Sequence, residues 1–192
     1  MCCHQYLFFD GVFKLNDFEN AIIRRHDRDD PAQTCPDPFA MSIFKMRAPE
    51  EMRIEGRREG WWTGEAPDSL HTDKVDVYLM ANVLYTVLTN RYVFEDEDKR
   101  VAHELVARGR RPSLLGAQNS PEPALRAVVR AIRMAWEDDP PRRPSAREVT
   151  DFLDGELRKL DEVYRDTGVC KVTLPAHKEL MSDGEWWEKN RR

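Results

Sequence analysis

Lys74-Val75-Asp76-Val77-Tyr78-Leu79-Met80-Ala81-Asn82-Val83-Leu84-Tyr85-Thr86-Val87-Leu88-Thr89 is the stretch on which the fold turns. Between Val75 and Leu88 its only polar residues, with tyrosine counted as apolar, are Asp76, Asn82 and Thr86. Apolar side chains therefore surround the helix that this segment predicts. Such a helix is expected to be buried on most sides and to serve as the axis for the other elements. Asp76 stands out within it, because an ionised carboxylate in a core is costly unless it receives hydrogen bonds. Asn90 supplies a C-terminal stop.

Outward from this axis, Tyr6-Leu7-Phe8-Phe9 and Val12-Phe13-Lys14-Leu15 flank Asp10-Gly11, the pattern of two short strands joined by a tight turn. Residues 24–38 are polar, carry proline and show no period, as a loop does. Pro49 followed by Glu50 and Glu51 suits the first turn of a short helix. From Arg53 to Leu70 the glycines Gly56, Gly60 and Gly64, with Pro67, read as a second loop, in which Arg53, Arg57 and Arg58 form a solvated basic cluster. Trp61 and Trp62 are expected to cap a hydrophobic edge.

Downstream, Asp96 to Arg108 reads as a charged surface helix ended by Gly109, and Ser120-Pro121-Glu122 opens another. In that helix Leu125, Val128, Val129, Ile132 and Trp136 fall at helical spacing, with Arg126, Arg130 and Arg133 on the other side. The last strong helix begins at Ser145, with Glu148 completing a capping box. It is expected to bury Val149, Phe152, Leu153, Leu157 and Leu160 and to reach about Tyr164. The tail has no clear period, although Glu185-Trp186-Trp187-Glu188 reads as a short docking helix.

The chain has 192 residues, 41% of them hydrophobic, and a formal net charge of -5, values that fit one globular domain of ordinary size. The negative balance argues against nucleic acid as a partner. No apolar run is long enough to cross a membrane, and the first residues lack a basic signal-peptide region. Cys2, Cys3, Cys35 and Cys170 are too scattered for a disulfide framework or a paired zinc site, so a reduced, cytoplasmic setting is expected.

Four motifs in this order resemble the C-terminal lobe of eukaryotic-type protein kinases. Asn16-Asp17-Phe18-Glu19 is similar to the DFG motif, with glutamate in the place of glycine. Arg47-Ala48-Pro49-Glu50 is similar to the APE end of the activation segment. The 74–89 stretch resembles the helix written DVYSLGVVLYELLT in that family, and Ala135-Trp136 through Arg143-Pro144-Ser145 resembles its closing tryptophan and arginine-proline signature. The implied fold is mainly α: a kinase-like C-lobe over residues 1–165, with a short β-hairpin, an activation-segment-like loop over about 17–50 and a helical bundle around one buried central helix, followed by a tail over 166–192.

Roles follow from the resemblance residue by residue. Asp17 matches the aspartate that holds Mg2+ against the phosphates of ATP, and Gln5 stands where a second metal ligand, an asparagine, is expected. Phe18 matches the phenylalanine whose packing reports the active arrangement. Asp76 matches a helix aspartate that receives hydrogen bonds from the catalytic-loop backbone. Glu50 and Arg143 match a buried structural ion pair. The catalytic base would lie one residue before Met1, and neither the glycine-rich loop nor the phosphate-pairing lysine stands in these residues. The expectation is therefore a kinase-domain fragment, inactive as an isolated chain, whose parent moves phosphate from ATP to a protein hydroxyl. The alternative is a noncatalytic pseudokinase scaffold for a protein partner.

Overall fold

The computed structural model describes residues 6–9, 12–15, 47–67 and 73–167. Two four-residue strands, β1 (Tyr6–Phe9) and β2 (Val12–Leu15), pair antiparallel with Tyr6 opposite Leu15 and Phe9 opposite Val12. The connecting Asp10-Gly11 lies outside the described residues, as does the loop expected over 24–38. Five α-helices follow among the described residues: α1 (Pro49–Glu59), α2 (Lys74–Thr89), α3 (Lys99–Ala107), α4 (Pro123–Ala135) and α5 (Ala146–Thr167). A 3-10 turn, Leu115–Asn119, precedes α4. The chain divides into two compact units, Met1–Arg158 and Lys159–Arg192, and the described part of the second is the end of α5.

Local signals explain most helix ends. α1 starts at Pro49, whose missing N–H falls where no intrahelical partner exists, and Glu51 reaches back to accept a 2.8 Å hydrogen bond from the Ala48 N–H. Burial pushes the Glu51 carboxyl above its ordinary value, against the pull of that N–H and of Arg47. α2 stops at Asn90, which adopts the left-handed region at φ 53° and donates its N–H to the Thr86 carbonyl. α5 is capped as expected: the Ser145 Oγ accepts from the Glu148 N–H at 3.2 Å, while the Glu148 carboxylate accepts from the Ser145 N–H at 2.6 Å. α4 begins later than Ser120 suggests. Its cap is Glu122, and the proline at its first position is Pro123, not Pro121.

The expected loop from Arg53 to Leu70 is replaced over its first part by helix, since α1 runs on to Glu59. Gly56, which reads as a loop residue, sits inside α1 because no side chain fits there. A Cβ at that position would lie 2.7 Å from Trp62 Cβ and 2.8 Å from the Trp61 ring. The helix ends instead at Gly60, in the left-handed region at φ 81°. The basic cluster is thereby helical, and Arg53 is not merely solvated: it donates to the Ala107 carbonyl at 2.9 Å and pairs with Asp138 at 2.5 Å.

Two apolar clusters organise the helices. The larger joins Val77, Tyr78, Ala81 and Tyr85 of α2 to Val129, Ile132 and Ala135 of α4, with Trp136, Val93, Leu114 and Val149 closing it. The smaller places Met52 of α1 on Val106 and Ala107 of α3, covered by Trp61, Trp62 and Phe94. The two tryptophans thus cover a hydrophobic edge. α3, expected at the surface, buries Ala102, His103, Val106 and Ala107 on one face. α2 is less enclosed than its composition implies: Val87 is 73% exposed and Leu79 and Val83 are only partly covered, because its neighbours pack on one side. Leu157, expected in the α5 stripe, is exposed.

Candidate functional site

The most enclosed polar centre among the described residues is built around Arg143, whose side chain is fully buried. The tight turn Asp139–Arg143, closed by N–H bonds from Arg142 and Arg143 to the Asp139 carbonyl, aims this side chain back into the bundle. Its two terminal nitrogens donate to the two carboxylate oxygens of Glu50 at 2.8 and 3.0 Å, a fork-to-fork pair across 93 residues of sequence. Nη1 also donates to the Lys74 carbonyl at 2.6 Å and Nε to the Glu137 carbonyl at 2.9 Å. Lys74 returns the contact, its Nζ donating to the Arg143 carbonyl. Three polypeptide segments, at Glu50, Lys74 and Glu137, are thereby fastened to one guanidinium.

Tyr78 forms the apolar wall of this centre. The guanidinium carbons of Arg143 and Arg111 each lie 5.1 Å from its ring centroid. Burial pushes the Tyr78 hydroxyl up to about 12, and the two arginines oppose that shift only in part. Arg111 is held in turn by the Trp136 carbonyl at 2.8 Å and by Asp138.

A second buried pair escaped sequence reasoning. Arg47 donates to Glu55 at 2.5 Å, both side chains being nearly inaccessible. The spacing of eight residues, from the chain before α1 to its second turn, resembles no familiar pairing rule. His103 of α3 is buried near this pair, and its Nε2 has no hydrogen-bond partner. Burial holds its imidazole below the ordinary histidine value, with Glu55 pulling upward and Arg47 downward. A third unforeseen contact joins α2 to the end of α4, where Trp136 Nε1 donates to Asn82 Oδ1 at 2.8 Å inside the core. Asn82 is one of only three polar residues between Val75 and Leu88, and that was the available signal.

Of the residues singled out from sequence, Glu50 and Arg143 meet. Asp76 does not join them and is not the buried acid expected: its side chain is exposed, beside the partly covered Leu79, Met80 and Val83. Partial desolvation and the neighbouring Asp73 still raise its carboxyl above the ordinary value. Gln5, Asp17 and Phe18 lie outside the described residues. Among the described residues no group of three or more histidine, cysteine, aspartate or glutamate side chains is placed to hold a metal, and no helix is long and apolar enough to cross a membrane.

No family model matches the chain. Individual relatives do. It is 26% identical over 131 residues to the "Protein kinase and PP2C-like domain-containing protein" of Oryza sativa subsp. japonica, covering 60% of this chain and 19% of that protein. It is 32% identical over 99 residues to the "Receptor-interacting serine/threonine-protein kinase 4" of Mus musculus, covering 50% and 12%. It is 24% identical over 153 residues to the "Probable serine/threonine-protein kinase roco7" of Dictyostelium discoideum, covering 75% and 5%. The chain is related to protein kinases. It spans less than a fifth of the length of each of these relatives, and its helical architecture is consistent with the helical lobe of a kinase domain.

Proposed function

We propose that these residues form the C-lobe segment of a protein kinase domain whose parent activity is phosphoryl transfer from ATP to a protein hydroxyl. The observation that carries this reading is the Arg143 centre: the two motif residues that the resemblance pairs, Glu50 and Arg143, stand in bidentate contact inside the core. In this reading the centre is structural, locking α1 to the turn before α5 and to the start of α2. The nucleotide end of the site would use the Asp17 carboxylate, a hard oxygen donor suited to Mg2+, with the Gln5 amide oxygen as second ligand. Phe18 would pack beside them.

Phosphoryl transfer depends on positioning and charge neutralisation, so a segment without a phosphate clamp, paired lysine and base has almost nothing with which to lower the barrier. The 192 residues by themselves are therefore expected to be inactive. Titration calorimetry of the chain with Mg-ATP tests this: no heat of binding is expected, and micromolar binding abolished by Asp17→Asn would overturn it. The parent activity is tested by reading the coding DNA upstream of Met1 and assaying the longest in-frame product for transfer of labelled phosphate. An in-frame catalytic loop, lysine strand and glycine-rich loop with transfer activity supports the kinase. Unrelated sequence or an inactive product supports the second reading, a pseudokinase scaffold. Glu19 favours that second reading, because it replaces a conformationally free glycine and sets a negative charge beside Asp17.

A further inference from the structure

We propose that the face formed by α4 and the 3-10 turn before it is a docking surface for an acidic peptide segment of a protein partner. Two adjoining cavities of about 280 and 350 Å³ open there. The first is lined by Arg111, Leu114, Gln118, Arg133 and Trp136, and the second by Gln118, Arg126, Val129, Arg130 and Arg133. Gln118 and Arg133 line both, so the two adjoin and together make a trough on this face. Among the described residues four arginines line it and no aspartate or glutamate does, in a chain whose net charge is -5.

The state of each guanidinium sharpens the assignment. Arg130 is engaged by Glu156 and Arg111 by Asp138 and the Trp136 carbonyl. Among the described residues Arg126 meets only the carbonyls of Ser120 and Pro121, and Arg133 only the Gln118 amide oxygen at 3.3 Å. Neither has a carboxylate partner among the described residues, and both are exposed. Seven residues apart on one helix, they are separated by about 10 Å along its axis. Residues three apart in an extended peptide span about the same distance. The floor between them is apolar, with Val129 and Leu114 almost fully buried. Two exposed guanidinium forks over an apolar floor suit a peptide bearing carboxylates or phosphates at intervals. The negative net charge of the whole chain disfavours a membrane surface or a nucleic acid, which would engage a wider field than this one trough.

The test uses the full chain and a fluorescein-labelled nine-residue peptide with aspartate at every third position on an alanine and serine background. Fluorescence anisotropy is expected to show binding that weakens as salt rises and is absent for the same peptide with asparagine. Arg126→Gln with Arg133→Gln should weaken it about tenfold or more, the loss of at least one charge-assisted hydrogen bond. Arg126→Lys with Arg133→Lys, which keeps the charge, should retain part of it. Circular dichroism should show unchanged helix in both variants. No binding up to about 1 mM peptide, or equal binding by the glutamine variant, would overturn the proposal. So would an arginine-dependent association with phosphatidylserine vesicles or a single-stranded oligonucleotide in place of the peptide.

Discussion

Replacing Glu50 by glutamine separates two accounts of what holds Arg143 in the core. In the first, the carboxylate is indispensable, because the guanidinium has no access to water and glutamine would turn an amide N–H toward the arginine donors. In the second, the carbonyls of Lys74 and Glu137, with the Tyr78 ring 5.1 Å away, solvate the cation well enough by themselves. Side-chain exposures of 0% for Arg143 and 4% for Glu50 favour the first account. Breaking such a buried pair from one side costs about 3–5 kcal/mol, most of it the penalty of a stranded charge. For a chain of this length that corresponds to a fall in Tm of roughly 6–20 °C. Urea unfolding followed by helical circular dichroism measures it, with an unchanged slope showing that stability rather than compactness has altered. Glu50→Leu combined with Arg143→Met removes both charges and is expected to cost less than Glu50→Gln alone, because no ion is then left uncompensated. A loss below about 1 kcal/mol for Glu50→Gln, or a double variant as damaged as the sum of the two single ones, would refute the reasoning.

Three further perturbations probe the other buried contacts. Trp136→Phe strands the Asn82 amide in the core and should cost about 1–3 kcal/mol by the same denaturation assay; adding Asn82→Leu should recover part of that loss. Gly56→Ala sets the helix preference for alanine, worth about 1 kcal/mol, against overpacking on Trp61 and Trp62 at about 1–3 kcal/mol, so the variant should be less stable and its tryptophan emission shifted. His103 has a folded-state pKa below its unfolded value, so the unfolded chain takes up the proton first as pH falls. Its contribution is therefore complete above the ordinary histidine value of about 6.5 and declines through the window just below it; denaturation curves between about pH 7 and pH 5 should be flatter for His103→Gln than for the parent chain.

Much of the helical frame is legible from sequence because its signals are local. The Ser145–Glu148 capping box, Pro49 at the head of α1 and Asn90 at the end of α2 each work within one turn of chain, and each lies where the sequence places it. The misreadings occur where a tertiary neighbour decides. Gly56 carries the signature of a loop, yet its lack of a side chain is what lets the tryptophan pair lie against α1. Leu157 has the right period to be buried but meets no covering surface. The apolar composition of α2 promises enclosure, and composition cannot report that its neighbours gather on one side and leave Asp76 and Val87 in solvent.

The same distinction separates the two buried ion pairs. Glu50 and Arg143 are readable as a pair because each sits in a motif of its own, although 93 residues of chain lie between them. Arg47 and Glu55 are only eight apart and were invisible, since neither stands in a pattern that demands a partner. Nearness in sequence is thus a poor guide to legibility. What makes a contact readable is that chemistry at one residue is unexplained without another. By that measure Arg126 and Arg133 resemble the first pair. They are two cations on one helix face with no carboxylate among the described residues to answer them, and the trough they line supplies the place where one would sit.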